Sequence, residues 1–118
     1  MQDGILKEKS KRFAIRIVNL CKMLKEDKKE FEISKQLIRS GTSVGANIRE
    51  AEHAQSRLDF LHKRSIALKE ANETEYWLEI LHETGYLTPE QFKSIFADCN
   101  ELCKMLIAGI KTLKSNFT

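Results

Sequence analysis

The sequence of 118 residues is poor in residues that interrupt helices, with one proline and five glycines. So few breakers argue against a fold of many short strands, which needs a turn about every 8–12 residues. The apolar runs are also short, well below the roughly 20 residues that cross a bilayer. The three cysteines form no CxxC motif, and their odd number is typical of free thiols in a reducing compartment. We therefore expect a cytoplasmic protein that makes no membrane contact.

Four segments carry apolar residues at helical spacing, and no segment alternates with the period of a strand. Hydrophobic residues make up 42% of the chain, enough for one core, and the length fits a single domain over 1–118. Amphipathic helices joined by turns of about 2–6 residues pack as antiparallel neighbours. We predict an all-α, antiparallel up-down-up-down four-helix bundle, with helices at roughly 5–26, 31–54, 57–84 and 89–115.

Capping residues support these boundaries. Ser56 suits the N-cap of the third helix, because its hydroxyl can accept a backbone N–H of the first turn, and Asp59 completes an approximate capping box. Gly85 suits the left-handed position at which a helix ends. Residues 88–91, Thr-Pro-Glu-Gln, supply an N-cap, a proline at the first helical position and a reciprocal capping residue. The first turn is instead the charged run 25–30, where we expect frayed helix ends.

The middle of the second helix is rich in small residues. Gly41 and Gly45 are four residues apart, so they share a face that another helix can approach closely. Two glycines there cost about 1 kcal/mol each relative to alanine, which indicates a packing role. Ser43 and Asn47 lie on a neighbouring face and offer hydrogen-bond partners. A tight crossing sealed by small polar side chains is the favoured interpretation, and a kink or shallow ligand pocket is the alternative.

Several carboxylates are candidates for polar groups near this crossing. Glu50 follows Asn47 by three residues and can accept a hydrogen bond from a neighbouring helix. Glu70, Glu73 and Glu75 of the third helix are further candidates, and the alternative is that most of them are solvated.

Two stretches resemble a known family. Residues 39–51, Arg-Ser-Gly-Thr-Ser-Val-Gly-Ala-Asn-Ile-Arg-Glu-Ala, resemble the hallmark of the 23S rRNA intervening-sequence proteins, also called the S23 or "four helix bundle" family. Within this stretch Ser40, Gly41, Ser43, Gly45, Asn47 and Glu50 match the family motif. Residues 71–81, which include Glu73 and Glu75, are similar to the family's third helix, and 85–87 to the turn after it. Glu52 stands where the family commonly has glycine, which puts the family's turn at that point in doubt.

The resemblance implies more about fold than about activity. Members of the family form four-helix bundles that assemble as pentamers, and their molecular function is largely unassigned. Some members are encoded inside rRNA insertions. A similar protein is the pentameric accessory factor of diversity-generating retroelements, which binds nucleic acid and a reverse transcriptase. The resemblance therefore implies a homo-oligomer with a binding role for RNA or DNA.

The apolar stripes are wider than one bundle core requires. Ile15 and Val18 lie off the main stripe of the first helix, and Leu61, Leu68 and Trp77 widen that of the third. An apolar belt beyond the usual core face often marks a second contact surface, so we expect a homo-oligomeric ring. The alternative is a monomer with a thick core and a few exposed apolar side chains.

Charge is distributed unevenly along the sequence. Residues 1–69 hold 16 Lys/Arg and 9 Asp/Glu, whereas residues 70–118 hold 4 and 8. A basic surface with few free aromatic residues favours phosphate-backbone binding of low sequence specificity. The alternatives are a contact between oppositely charged faces in an oligomer, or a solvated exterior. The candidate nucleic-acid-binding residues are Lys9, Arg12, Arg16, Lys35, Arg39, Arg49, Arg57, Lys63 and Arg64.

No arrangement in the sequence predicts catalysis or a resident cofactor. Glu50-x-x-His53 and Glu79-x-x-His82 match a di-iron spacing, but antiparallel helices place the two histidines about 40 Å apart. Cys99 and Cys103 lie on an apolar helix face with no second pair to complete a tetrahedral set, so we predict buried thiols and no metal. No Gly-rich phosphate loop is present.

Three functional hypotheses follow. The first is a non-enzymatic, cytoplasmic homo-oligomer that binds RNA or DNA through its basic half. The second is a protein–protein adaptor or scaffold whose apolar belt docks another protein and whose charges only confer solubility. The third, a metal-dependent enzyme, has the least support from the residues.

Overall fold

The computed structural model describes residues 2–116, and positions 1, 117 and 118 of the predicted domain lie outside the described residues. It confirms an all-α four-helix bundle, and no strand occurs within the described range. No described helix is both long and apolar enough to traverse a lipid bilayer. The helices are α1 (Gln2–Glu26), α2 (Glu32–Ala51), α3 (Arg57–Glu83) and α4 (Pro89–Ser115).

Each helix packs against its neighbour in sequence, and α4 returns to α1 to close the bundle. The direction alternates: Ile17 lies against Gly41, whereas Lys7, ten residues earlier, pairs with Glu52, the C-cap residue of α2. The diagonal helices make no close backbone approach among the described residues. The result is an up-down-up-down bundle with extents of 49 × 22 × 21 Å.

A continuous apolar core runs along the bundle axis. Its fully buried members lie on the apolar faces of all four helices. Burial of each large apolar side chain stabilises the fold by about 1.5–3 kcal/mol. The largest of these side chains are Phe13, Ile17, Leu24, Leu37, Ile48, Leu78, Leu81, Leu102 and Leu106.

Two of the three connections follow the predicted capping chemistry. The Ser56 hydroxyl accepts the Asp59 N–H at 3.0 Å, although the Asp59 carboxylate accepts from Gln55 rather than from Ser56. Before α4, Thr88 and Gln91 form a complete capping box. Gly85 has φ of +87°, the left-handed conformation expected at the end of α3.

The α1–α2 turn is better ordered than its charged sequence predicts. Glu30, only 8% exposed, accepts the backbone N–H groups of Ile33 at 3.0 Å and Ser34 at 2.8 Å. Burial acts to raise the pKa of Glu30, but these hydrogen bonds and that from the Ser34 hydroxyl outweigh it and lower the pKa. Glu30 therefore caps the start of α2, and the prediction of frayed ends is wrong here.

The second helix is also shorter than predicted. It ends at Ala51 rather than at 54, because the N–H groups of Glu52 and His53 turn back to the carbonyls three residues earlier. This tight turn brings the chain directly to the Ser56 N-cap of α3.

Candidate nucleic-acid interface

The small-residue segment lies at the crossing of α1 and α2. A Cβ placed on Gly41 would meet Ile17 Cγ1 at 2.8 Å, and one on Gly45 would meet the Ser10 hydroxyl at 3.3 Å and its carbonyl oxygen at 3.4 Å. The helix runs unbroken through both glycines. The segment therefore forms a tight crossing and no kink.

Small polar side chains in this segment follow two different patterns. Ser40 is buried and accepts a hydrogen bond from Thr74 of α3 at 2.9 Å, which joins two helices. Ser43 and Asn47 instead donate to carbonyls one turn back in α2, at 2.6 and 2.9 Å. Among the described residues, the hydrogen bonds that these two side chains donate therefore stay within α2.

A shallow groove lies beside the same crossing. It has a volume of about 290 Å³, and Ala14 of α1 and Gly45 and Ala46 of α2 contribute small residues to its lining. Three cations, one serine and one threonine complete the lining, and no carboxylate is part of it. The groove residues are Lys7, Ser10, Lys11, Ala14, Thr42, Gly45, Ala46 and Arg49. The pocket left open as an alternative is thus present, on the surface beside the crossing.

Most of the predicted phosphate-binding cations already contact carboxylates. Arg16 pairs with Asp98 at 2.7 Å and also donates to the Ser94 hydroxyl, so it links α1 to α4. An exposed ion pair contributes about 0–1 kcal/mol and stays open to exchange with a phosphate. The other pairs are Lys9–Glu101, Arg12–Glu8, Arg39–Glu70, Arg39–Glu73 and Lys63–Glu50.

The remaining predicted cations divide into three cases. Arg64 is only 6% exposed and lies over the Phe60 ring at 4.6 Å, so its assignment to a phosphate-binding surface is corrected. Arg57 is exposed at the start of α3. Lys35 and Arg49 are exposed and have no carboxylate oxygen within 4.0 Å in the part of the chain that the structure describes.

Charge separates along the axis of the bundle rather than between its faces. Antiparallel packing brings residues 4–14, 41–70 and 100–116 to one end, here called the basic end, which carries 12 Lys/Arg and 6 Asp/Glu. The opposite end, residues 15–40 and 71–99, carries 8 and 10. The uneven charge of the sequence therefore becomes a difference between ends. Of the predicted cations, Arg16, Lys35 and Arg39 lie outside the basic end.

Several cations of the basic end escaped the sequence prediction. Lys7 and Lys11 line the α1–α2 groove, and α4, in the acidic half of the sequence, contributes three exposed lysines. The available signal was the antiparallel pairing of the predicted helices, which places the last turns of α4 beside the first turns of α3. The α4 residues are Lys104, Lys111 and Lys114.

The predicted interface carboxylates do contact other side chains. Glu50 accepts from Lys63 of α3 at 3.2 Å. Glu73 accepts from Arg39 and from the Trp77 indole N–H, and Glu75 accepts from the Asn100 amide at 3.0 Å. These three carboxylates therefore help to hold α2, α3 and α4 in register.

The predicted apolar belt is only partly exposed. Ile15 is 53% exposed, whereas Leu68 and Trp77 pack against the core. Leu58 at the start of α3 and Ile107 of α4 are 66% and 50% exposed. The basic end thus also presents apolar side chains.

The fold and these contacts define a small four-helix bundle whose second helix carries a glycine-rich crossing. The sequence profile described as 23S rRNA-intervening sequence protein matches residues 2–108. The chain belongs to this family, which confirms the resemblance noted in residues 39–51 and 71–81.

A solved structure is similar over the whole bundle. It is the crystal structure of a protein with unknown function from the S23 ribosomal protein family of Bacteroides thetaiotaomicron VPI-5482. The two sequences are 62% identical, the match covers 94% of this chain and 99% of the other, and the TM-score is 0.93. A comparison with curated proteins found no match.

Proposed function

We propose that the protein is a non-enzymatic, cytoplasmic homo-oligomer that binds the phosphate backbone of RNA or DNA through its basic end. The observation that carries the proposal is the twofold excess of Lys/Arg over Asp/Glu at that end. Clustered cations bind nucleic acid mainly by releasing the counterions condensed on the phosphates.

The α1–α2 groove is the proposed point of closest contact. Lys7, Lys11 and Arg49 surround it, and its small residues leave room for a sugar–phosphate chain to approach the helices. Lys11 and Arg49 have no carboxylate within 4.0 Å among the described residues, so a phosphate need not displace an ion pair there. Lys7 pairs with Glu52 at 3.2 Å.

The contact is proposed to be indifferent to base sequence. The exposed Phe and Tyr residues, Phe31 and Tyr76, lie at the end opposite to the basic end within the described chain. Without aromatic platforms at the site, bases cannot be read by stacking, and phosphate contacts carry no sequence information.

Assembly multiplies a weak contact. One subunit offers only a few cations without partners, but a homo-oligomeric ring, a pentamer by the family resemblance, would repeat the groove and gain affinity through avidity. The exposed Ile15, Leu58 and Ile107 supply apolar area for contacts between subunits.

Fluorescence anisotropy with labelled RNA and DNA, titrated at several salt concentrations, tests this function. We expect affinity to fall steeply with salt, with a log–log slope of about −0.7 per neutralised phosphate for single strands. The double variant Lys11→Ala/Arg49→Ala should reduce the slope by about 1–2. The matched control is Lys22→Ala/Lys35→Ala, which removes two exposed cations from the opposite end and should leave the slope nearly unchanged.

Two results would contradict the proposal: no binding at low salt while the oligomer is intact, or equal losses in the two double variants. Native mass spectrometry reports the subunit count, and a monomer at micromolar concentration would remove the avidity on which the proposal relies.

A protein–protein adaptor is the second candidate function. A groove of about 590 Å³ along α3 exposes Leu58, Leu61 and His62, with Lys114 of α4 at its edge. An apolar groove of this kind suits a side chain of a partner protein. A pull-down that recovers one partner after nuclease treatment, and loses it with Leu58→Asp, would favour the adaptor.

A further inference from the structure

Two cysteines of α4 meet a carboxylate of α3 in the seam between these helices. The ligand atoms of Glu75, Cys99 and Cys103 all lie within 4.8 Å of one another. Cys99 and Cys103 are one helical turn apart and buried, at 0% and 4% exposure, whereas Glu75 is half-buried. The cluster thus lies just beneath the surface and can be reached from solvent.

The side-chain oxygen of Asn72 provides a fourth ligand atom beside the cluster. The Cys103 thiol lies 3.6 Å from the side-chain oxygen of Asn72, an exposed residue of α3. Glu75 is oriented by the Asn100 amide, which donates to its Oε2 at 3.0 Å. Two sulfurs and a carboxylate oxygen are ligand atoms that zinc takes, and a hydrogen bond fixes the carboxylate. The Asn72 oxygen brings the candidate ligand atoms to four, the number found in tetrahedral zinc sites. The sequence alone did not reveal this set, because Asn72 and Glu75 belong to a different helix.

We propose that Cys99, Cys103 and Glu75, with the side-chain oxygen of Asn72, form a binding site for a thiophilic divalent cation, Zn²⁺ or Cd²⁺. Tetrahedral zinc with bonds of about 2.3 Å to sulfur holds its ligand atoms roughly 3.8 Å apart. The observed spacing therefore needs only small side-chain rotations to close on an ion.

The charges of the ligands suit a dication. Binding releases two protons, forms two metal–sulfur bonds and leaves a site with one net negative charge, shared between two thiolates, one carboxylate and the ion.

Ultraviolet titration of the reduced full-length protein with Cd²⁺ tests the site. We expect thiolate-to-metal charge-transfer absorption that saturates at one ion per chain, release of two protons per ion and a rise in Tm. Cys103→Ser should abolish the absorption. Cys21→Ser is the matched control, because it also removes a buried thiol but lies on α1, outside the cluster.

Substitutions of Glu75 and Asn72 test the two oxygen ligands, which are more exposed than the cysteines. Glu75→Gln and Asn72→Ala should each weaken Cd²⁺ binding, the former by more than tenfold, while circular dichroism stays unchanged. The proposal is overturned by absence of the charge-transfer band in the native protein, by equal loss in Cys21→Ser, or by unchanged affinity in Glu75→Gln.

Discussion

The contact of α1 with α2 and its contact with α4 are made by opposite kinds of residue. Against α2, glycines leave room for close approach, and Ile17 Cγ1 lies only 2.8 Å from the position that a Cβ on Gly41 would take. Against α4, the long side chains of Lys9 and Arg16 cross to Glu101 and Asp98. The backbones of α1 and α4 approach each other over a shorter stretch than those of α1 and α2. Ion pairs can bridge helices that stand apart, whereas close backbone approach requires small residues.

This difference bears on the function as well as on the fold. The cations that bridge α1 and α4 are among those predicted to bind phosphate, and each is engaged in an ion pair. The small-residue contact, in contrast, leaves a groove lined by Lys11 and Arg49, which form no ion pair with any described residue. The proposed nucleic-acid contact therefore lies at the tight contact of α1 with α2 and not at the contact of α1 with α4.

The largest expected effect comes from two matched glycine substitutions, one at the α1–α2 crossing and one outside it. Gly41→Ala should lower the free energy of unfolding by about 2 kcal/mol, because overpacking against Ile17 of about 3 kcal/mol exceeds a gain in helix propensity of about 1 kcal/mol. Gly109→Ala, whose new Cβ meets only Arg64 Nη1 at 3.8 Å, should instead stabilise by about 1 kcal/mol. Urea unfolding measures both, and similar values for the two variants would show that the crossing is not tight.

The buried hydroxyl pair of Ser40 and Thr74 tests whether the α2–α3 contact is as sensitive to substitution as the α1–α2 contact. Thr74→Val deletes the hydroxyl that donates to Ser40 at 2.9 Å. We expect the free energy of unfolding to fall by about 1–2 kcal/mol, because the buried Ser40 hydroxyl loses its hydrogen bond from Thr74. Thermal unfolding gives the value, with Thr84→Val as the exposed control, because the Thr84 hydroxyl donates to the nearby backbone carbonyls of Ile80 and Leu81. An equal loss in the control would contradict a special role for the buried pair.

The Glu30 cap lies in the turn that joins α1 to α2, at one end of their tight contact. Glu30→Gln should cost about 1 kcal/mol at pH 7. Because the pKa of Glu30 is lowered in the folded protein, its contribution is present above the unfolded pKa near 4.3 and is lost as pH falls through the folded pKa.

The difference in unfolding free energy between native protein and Glu30→Gln should therefore shrink on acidification. Denaturant unfolding from pH 7 to pH 3 measures it. The exposed Glu32→Gln serves as a neighbouring control, and a difference that grows toward low pH would contradict the cap.

Substitutions in the ion pairs between α1 and α4 should change the free energy of unfolding least. A double-mutant cycle on Arg16 and Asp98 should give a coupling of about 0.5 kcal/mol, since the two side chains are 40% and 47% exposed. The coupling should fall as salt is added. A coupling above about 2 kcal/mol, or one insensitive to salt, would mean that the seam depends on this pair far more than its exposure indicates.

Local chemistry made the fold predictable. The capping box at 88–91 and the Gly85 turn depend on residues a few positions apart, so they could be derived from the sequence. The helical spacing of the apolar residues likewise predicted four amphipathic helices around a single core. The cap by Glu30 was missed because a glutamate within a charged run carries no sign of burial until the chain turns back over it.

The candidate site was less predictable, because it depends on which helices meet. Arg64 lies between Phe60 and Ala67 on the apolar stripe of α3, so the spacing within that helix already indicated its burial beside Phe60. Lys111 and Lys114 lie far from the basic half of the sequence but at the same end of the bundle. The partners of Cys99 belong to another helix. For these lysines and for the cysteine cluster the pattern within one helix is insufficient, and the antiparallel register supplies the missing information.

The separation of charge along a body 49 Å long gives each molecule an electric dipole directed roughly along the helices. Cyclic symmetry repeats one orientation, so any closed ring whose axis runs parallel to the helices would add these dipoles rather than cancel them. One rim of such a ring would attract polyanions from a distance and the other would not, which makes the assembly two-sided.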